Sequence, residues 1–323
     1  MRIAGGFKHA AHRLAFLSLK CSAALAAESA PLDPVRVMGL SFPGRIGAAA
    51  GLDRYGELAH VAHRLGLGFV ETGTVTPRSE PGANRGLDVL LANLCRQDRD
   101  RRHCRIGISI AANAATPIEE TWRDLCACME RAWDHADYFT LNLGNRIAPL
   151  ARQPPTLRTL LEAVNHRQRA LAQERYRRVP VIVKVHLSDD AMTDAAILVE
   201  TLCAAGLDGV LAAVAAGAKG DDGARLTRKM AELAAGRCAI MSVGGIRSPQ
   251  EACARLDAGA MLLQLHRSLL RPQPRLLGAI NTAIATEPTA PAVRSSDSFS
   301  AHGESATLPG FSARSMQRSH HVR

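Results

Sequence analysis

Short runs of apolar residues recur along the chain, separated by longer segments in which apolar positions have helical spacing. From the apolar runs we predict eight strands, at residues 45–50, 68–73, 105–111, 138–142, 180–185, 209–214, 239–243 and 261–265. Most of these runs are continuously apolar rather than alternating. Such runs are typical of strands that are buried on both faces, as in a parallel sheet.

The segments between the strands are predicted to be helices, at residues 57–65, 116–135, 156–174, 189–205, 224–235, 249–258 and 274–285. Two of these helices begin with an N-cap residue followed by proline, at Thr116 and Ser248. Strands that alternate with helices in this way predict a single (β/α)8 TIM barrel. An open, doubly wound sheet is the alternative, but the strand count and the glycine-rich turn after the seventh strand favour the barrel.

The alternation extends over residues 34–286, which we predict to be the barrel. Residues 1–33 are an N-terminal extension in which basic residues mix with Leu14, Phe16 and Leu17. We predict a short amphipathic helix there that packs on the barrel or lies on a membrane surface. Residues 287–323 are rich in Ser, Pro, Arg and His and lack apolar periodicity, so we predict a disordered tail. No apolar run is long enough to span a membrane.

Composition argues against two classes of function. The chain carries a formal net charge of +10 but only 4% aromatic residues, so we do not expect a platform for stacking nucleic-acid bases. The eight cysteines do not combine with histidine at metal-binding spacings, so no metal site is predicted. Free thiols suit a reducing cytosol, and we expect a cytoplasmic protein.

Candidate chemistry lies at the ends of the predicted strands, which is where barrel enzymes hold their sites. Residues 47–57 read Gly-Ala-Ala-Ala-Gly-Leu-Asp-Arg-Tyr-Gly-Glu, and their small side chains would let a flat ring approach the backbone. Residues 71–78 read Glu-Thr-Gly-Thr-Val-Thr-Pro-Arg, followed by Pro81-Gly82. Further along, Asn142 ends the fourth strand, Lys184 lies in the fifth, and Gly244-Gly245 follow the seventh.

In this order the motifs closely resemble those of the class 2, quinone-linked dihydroorotate dehydrogenases, over residues 34–284. The resemblance implies a TIM barrel with FMN at its mouth, which oxidises dihydroorotate to orotate in pyrimidine biosynthesis and passes the electrons to a quinone. It also implies peripheral contact with the inner face of the membrane. In such an enzyme the flavin performs the redox chemistry, and the protein binds and polarises it.

The resemblance also assigns roles to individual residues. Lys184 would stabilise negative charge on the reduced flavin ring, and Gly244 and Gly245 would offer backbone N–H groups to the phosphate. Arg54 stands where the family has a lysine, and it keeps the charge but not the shape. The cofactor-binding positions implied are Ala50, Gly51, Arg54, Thr74, Asn142, Lys184, Gly244, Gly245 and Arg267. The substrate-binding positions are Arg54 and Asn142.

Several positions depart from the family pattern. Residues 142–147 read Asn-Leu-Gly-Asn-Arg-Ile where the family has Asn-x-Ser-Ser-Pro-Asn. Asn145 therefore occupies the catalytic position, and an amide cannot accept a carbon-bound proton. Ile147 replaces a substrate-binding Asn, and a substrate-gripping loop after Gly82 is missing. Further departures occur at Ser109, Ala112, residues 213–215, Ser242 and His266.

Three hypotheses follow. The first is a working dihydroorotate dehydrogenase, in which His186 would substitute for the base if the fifth strand continues that far. The second, which we favour, is a divergent paralogue that no longer oxidises dihydroorotate. It either keeps FMN for another redox step on an unknown small molecule, or acts as a non-catalytic binding or scaffolding barrel. The third, a basic protein of nucleic acid or membrane surfaces, depends on net charge alone.

Overall fold

The computed structural model describes residues 13–23, 32–81, 84–96, 103–215, 221–270 and 275–286. Most of the N-terminal extension and the whole of the predicted tail, residues 287–323, lie outside these ranges. The fold and the site below are those of the described residues.

Eight parallel strands close into a barrel, in the order in which they occur in the chain. They follow a short antiparallel hairpin of β1 (Val35–Val37) and β2 (Leu40–Phe42), which the sequence analysis missed. The last barrel strand pairs with the first, through Leu263 and Ile46, so the open-sheet alternative is wrong. All eight predicted strands are confirmed, and they are β3 (Ile46–Asp53), β4 (Phe69–Val75), β5 (Arg105–Ile110), β6 (Tyr138–Leu141), β7 (Val181–Leu187), β8 (Gly209–Val214), β9 (Ala239–Val243) and β10 (Leu262–Leu265).

Helices surround the barrel. They are α1 (13–23), α2 (Leu87–Leu94), α3 (Thr121–Ala132), α4 (Ile147–Ala151), α5 (Pro154–Glu174), α6 (Met192–Ala204), α7 (Asp222–Ala234), α8 (Pro249–Asp257) and α9 (Leu276–Thr286). Neither α2 nor α4 was predicted from the sequence. The helix predicted at 57–65 is wrong, because only a short 3-10 turn forms there, at Ala62–Leu65.

Side-chain hydrogen bonds to the backbone and to other side chains explain three departures from, or agreements with, the predicted helix starts. The Asp53 carboxylate accepts the backbone N–H groups of Glu57 and Leu58, each at 2.7 Å, and so holds a turn where a helix was predicted. Thr116 is not an N-cap, because its hydroxyl donates to Asp124 instead, at 2.5 Å. The cap at Ser248 is confirmed, since its Oγ accepts the N–H of Glu251 at 3.2 Å.

The N-terminal end of the barrel is filled by large side chains. Phe69, Tyr138 and Ile182 form a floor with Phe42 of the hairpin, and all four are fully buried. Gly107 makes room for this layer, because a Cβ there would lie 2.2 Å from the Tyr138 ring. The floor closes one end of the barrel, so its interior can bind a ligand only from the C-terminal end.

Helix α1 packs on the barrel through one face. Phe16 and Ala23 are buried in the cluster that surrounds Ile46, whereas Leu14 and Leu17 remain exposed. Lys20 forms an ion pair with Glu57 at 3.2 Å. Among the described helices, none is both long and apolar enough to cross a bilayer.

Candidate functional site at the barrel mouth

Lys184 points into the barrel from the middle of β7. Its neighbours Val183 and Val185 are buried in the outer core between strands and helices, while Ile182, two residues earlier, belongs to the floor. Side chains alternate along a strand, so Lys184 lies on the same face as Ile182 and above the floor. The prediction that this lysine belongs to the barrel interior is therefore consistent with its strand position.

A buried carboxylate lies in the same layer. Glu71 of β4 is fully buried, and its Oε2 accepts hydrogen bonds from Gln264 at 2.7 Å, Thr140 at 2.8 Å and Tyr138 at 3.2 Å. Burial raises the pKa of this carboxyl, and these hydrogen bonds and the nearby charge of Lys184 oppose the rise. The other oxygen, Oε1, has no hydrogen-bond partner within the described part of the chain. No role was predicted for Glu71 from the sequence.

Three polar side chains form a chain of hydrogen bonds across the ends of β4, β5 and β6. The Asn142 amide donates to Thr74 Oγ1 at 2.9 Å, and Thr74 Oγ1 is 2.9 Å from Ser109 Oγ. Asn84 donates to the Thr74 carbonyl, also at 2.9 Å. Two residues predicted to bind the cofactor, Thr74 and Asn142, are thus brought into direct contact, and Ser109 completes the arrangement.

The end of β3 supplies a small-residue surface. Ala50 is partly buried, and Gly51 has a φ of +91° with only His266 Nε2 close to the position of a missing Cβ, at 3.9 Å. Arg54 follows, with its side chain exposed and its carbonyl bonded to the Gly73 N–H at 3.1 Å. Gly51 and Arg54 thus both lie beside strand ends that contribute to the mouth.

The glycine turn after β9 forms another side of the mouth. Gly244 has a φ of +96°, and a Cβ there would lie 2.3 Å from the Val214 carbonyl oxygen, so only glycine fits. No acceptor in the described ranges takes the backbone N–H groups of Gly245 and Ile246. Arg267 lies exposed after β10. The turn therefore presents N–H groups that an anion could accept.

The segment that replaces the family's catalytic loop takes a different course. Asn145 is exposed in a 3-10 turn, Gly144–Arg146. The next residue, Arg146, donates to the carbonyl of Asn113 at 2.9 Å and to the Thr121 hydroxyl at 3.0 Å. This loop is therefore bound to the segment after β5, an interaction that no sequence pattern indicated.

His186 lies in the same strand as Lys184. Because β7 extends to Leu187, the condition set in the sequence analysis is met, and His186 lies on the face that carries Lys184. His186 is exposed, but the surrounding protein still removes part of the water around its ring. This desolvation and the charge of Lys184 lower its pKa. A neutral imidazole is therefore favoured at this position near neutral pH.

A closed ring of parallel strands with these groups at its open end defines an α/β barrel, a fold whose members hold their ligand sites at that end. The chain is 33% identical, over 317 aligned residues, to the dihydroorotate dehydrogenase (quinone) of Shewanella amazonensis, covering 83% of this chain and 92% of that protein. It is 35% identical to the Azotobacter vinelandii protein of the same name, covering 78% of this chain and 84% of that one. The chain therefore belongs to the quinone-linked dihydroorotate dehydrogenase family.

Solved structures support the same fold. The crystal structure of the Eimeria tenella dihydroorotate dehydrogenase in complex with ferulenol has a TM-score of 0.70 at 22% identity, covering 84% of this chain and 90% of that one. The ligand-free form of the same enzyme has a TM-score of 0.66 at 21% identity. At these identities the likeness concerns the fold alone. No protein-family model matches the chain.

Proposed function

We propose that this chain binds FMN at the barrel mouth and no longer oxidises dihydroorotate through the family's base. The observation that carries the proposal is a contrast between the two sides of the mouth. Groups suited to a flavin lie at the ends of several strands around the mouth, whereas the residue at the base position, Asn145, is an exposed amide.

The side assigned to the cofactor fits a flavin phosphate and ring. The Gly244-Gly245 turn offers N–H groups that no residue in the described part of the chain accepts, and Gly51 has open space at the position of its missing Cβ. Bound FMN would supply hydride transfer, a reaction that protein side chains cannot perform. Lys184, whose charge acts on the buried Glu71, would bind the pyrimidine end of the ring and stabilise the negative charge of its reduced form. Thr74 and Asn142 would orient the ring edge through their shared hydrogen bond.

The side assigned to the substrate does not fit dihydroorotate in the same way. Asn145 has no proton-accepting group with a pKa near neutrality. Ile147 offers no polar side chain, and Arg146 is engaged by backbone carbonyls after β5. Each polar substrate group left without a buried partner loses about 1–3 kcal/mol, so several such losses together remove affinity for orotate. We therefore propose a different small-molecule substrate or a binding role.

A second candidate function keeps the family reaction with His186 as the base. It is favoured by one observation, which is that the imidazole lies on the Lys184 face with a lowered pKa and so is neutral at physiological pH. In this case a His186→Asn variant would bind flavin normally and lose turnover. If the chain does not oxidise dihydroorotate, wild type and His186→Asn would show the same absence of turnover.

The experiment uses the purified chain of 323 residues. We expect a flavin absorption spectrum that survives gel filtration, and no flavin bleaching when dihydroorotate is added without oxygen. A Lys184→Met variant should lose flavin, while Lys229→Met, an exposed lysine on α7, serves as the matched control. A colourless protein that FMN does not restore would support the non-catalytic barrel instead. Turnover with dihydroorotate and a quinone analogue would refute the loss of the family reaction.

A further inference from the structure

Arg255 of α8 is a buried guanidinium directly behind the glycine turn. Its side chain is only 4% exposed. Nη2 donates to the Gly244 carbonyl at 2.8 Å, and Nη1 donates to Ser242 Oγ at 2.7 Å. It also packs against the first turn of α7, where a Cβ on Gly223 would lie 1.7 Å from Nη2. The guanidinium is therefore held between two helices and the turn.

The bond to Gly244 fixes the direction of the next N–H group. In a trans peptide the carbonyl and the following N–H point in opposite directions. Because Arg255 holds the Gly244 carbonyl inward, the Gly245 N–H points away from the guanidinium. No residue within the described ranges accepts a hydrogen bond from this N–H. Arg255 thus determines how the turn presents its donors.

Arg255 forms no close ion pair among the residues that the structure describes, although the negative charge of Glu251 on the same helix acts on it. Glu251 itself accepts hydrogen bonds from Arg247, through its backbone N–H at 2.6 Å and its guanidinium at 2.7 Å. Burial lowers the pKa of Arg255 to about 10, which still leaves it charged at neutral pH. A buried cation whose hydrogen bonds go to neutral acceptors is costly, and the positive end of the α7 dipole lies beside it. The buried guanidinium and the dipole of α7 therefore both favour an anion at the turn.

We propose that Arg255 is a positioning residue for an anionic phosphate at the Gly244-Gly245 turn, and that it makes the site selective for FMN over the neutral flavin riboflavin. The inference rests on the proposed function. It also gives Ser242 a role. This residue departs from the family glycine, and its hydroxyl accepts a hydrogen bond from the guanidinium and lies 3.1 Å from Thr227 Oγ1.

The test measures binding of FMN and of riboflavin by quenching of flavin fluorescence. We expect Arg255→Met to weaken FMN binding about tenfold or more, because it removes a positive charge behind the turn and the charge-assisted hydrogen bond that orients the Gly244 peptide, and to leave riboflavin binding nearly unchanged. Arg255→Lys should recover part of the FMN affinity because it keeps the charge. Arg228→Met, an exposed arginine on α7, is the matched control. Equal losses for both ligands, or no loss for either, would overturn the proposal.

Two further measurements keep the test decisive. If Arg255→Met does not fold, Ser242→Ala removes one acceptor of the guanidinium and should weaken FMN binding but not riboflavin binding. If the wild-type chain binds neither flavin, the proposed function fails, and inorganic phosphate becomes the probe. At matched ionic strength, phosphate should then raise the Tm of the wild type. The rise should be smaller for Arg255→Lys and for Ser242→Ala. An equal rise in all three proteins would overturn the role of Arg255.

Discussion

Asp53 offers the sharpest quantitative prediction, because its carboxylate is fully buried at the end of the first barrel strand. Burial raises its pKa from an ordinary 3.8 to about 6, although the backbone N–H groups of Glu57 and Leu58 favour the ionised form. The folded protein therefore holds this proton at pH values where the unfolded chain has released it. Stability from this group is fully present below about pH 4 and is lost as the pH rises through about 6.

The size of the effect follows from the difference between the two pKa values. A difference between about 6 and 3.8 corresponds to about 3 kcal/mol of unfolding free energy. Asp53→Asn removes the titration. It also replaces one acceptor oxygen with an amide nitrogen, which costs about 1–3 kcal/mol at every pH. The variant should thus have a lower unfolding free energy than the wild type in acid. The difference should shrink as the pH rises, because the wild type then loses the contribution of protonated Asp53.

The assay is urea unfolding of both proteins from about pH 4 to about pH 7, with the difference in unfolding free energy plotted against pH. Subtraction removes the other groups that titrate in this range. The exposed Asp257→Asn serves as the matched control and should give a nearly flat difference. A flat difference for Asp53→Asn would show that burial does not raise the pKa of this carboxyl, and the reasoning would be refuted.

Three further predictions concern the turn, a helix cap and the core. Gly244→Ala would place a Cβ 2.3 Å from the Val214 carbonyl oxygen, so flavin retention after gel filtration should be lost, and full retention would contradict the account of the turn. Ser248→Ala removes the N-cap bond of α8 and should cost about 1 kcal/mol in urea unfolding, whereas no change would mean that the cap contributes nothing. Leu90→Ala, at a fully buried position, should cost about 2–5 kcal/mol, whereas Leu17→Ala at an exposed position should cost less than about 0.5 kcal/mol, and similar values would refute the assigned burial.

The barrel could be predicted from the sequence because its strands are continuous apolar runs, and each run needs only local information. A site role for Lys184 could be predicted because burying an unpaired ammonium within a strand is costly, and the resemblance to the family assigned that role to the flavin. Helices α2 and α4 were missed because they are short, and α2 lies beside an arginine-rich segment that obscures its apolar spacing.

Other parts of the site depend on contacts between distant residues. Glu71 and Gln264 are 193 positions apart in sequence, and their hydrogen bond exists only because the barrel closes between its last and first strands. Arg255 lies in a helix where an arginine usually faces solvent, so its burial behind the turn had no sequence signal. From the sequence, Ser242 is only a glycine position that has been substituted. Its hydrogen bond with Arg255 depends on the packing of α8 behind the turn, which the sequence does not show.

The central claim is that the flavin side of the mouth is functional while the dihydroorotate side is not. Its most direct test is the visible spectrum of the purified chain, reconstituted with FMN if necessary, before and after dihydroorotate is added without oxygen. We predict a bound flavin whose oxidised spectrum stays unchanged after dihydroorotate and bleaches with dithionite. Bleaching by dihydroorotate would contradict the claim about the substrate side, and failure to bind FMN would contradict the claim about the flavin side.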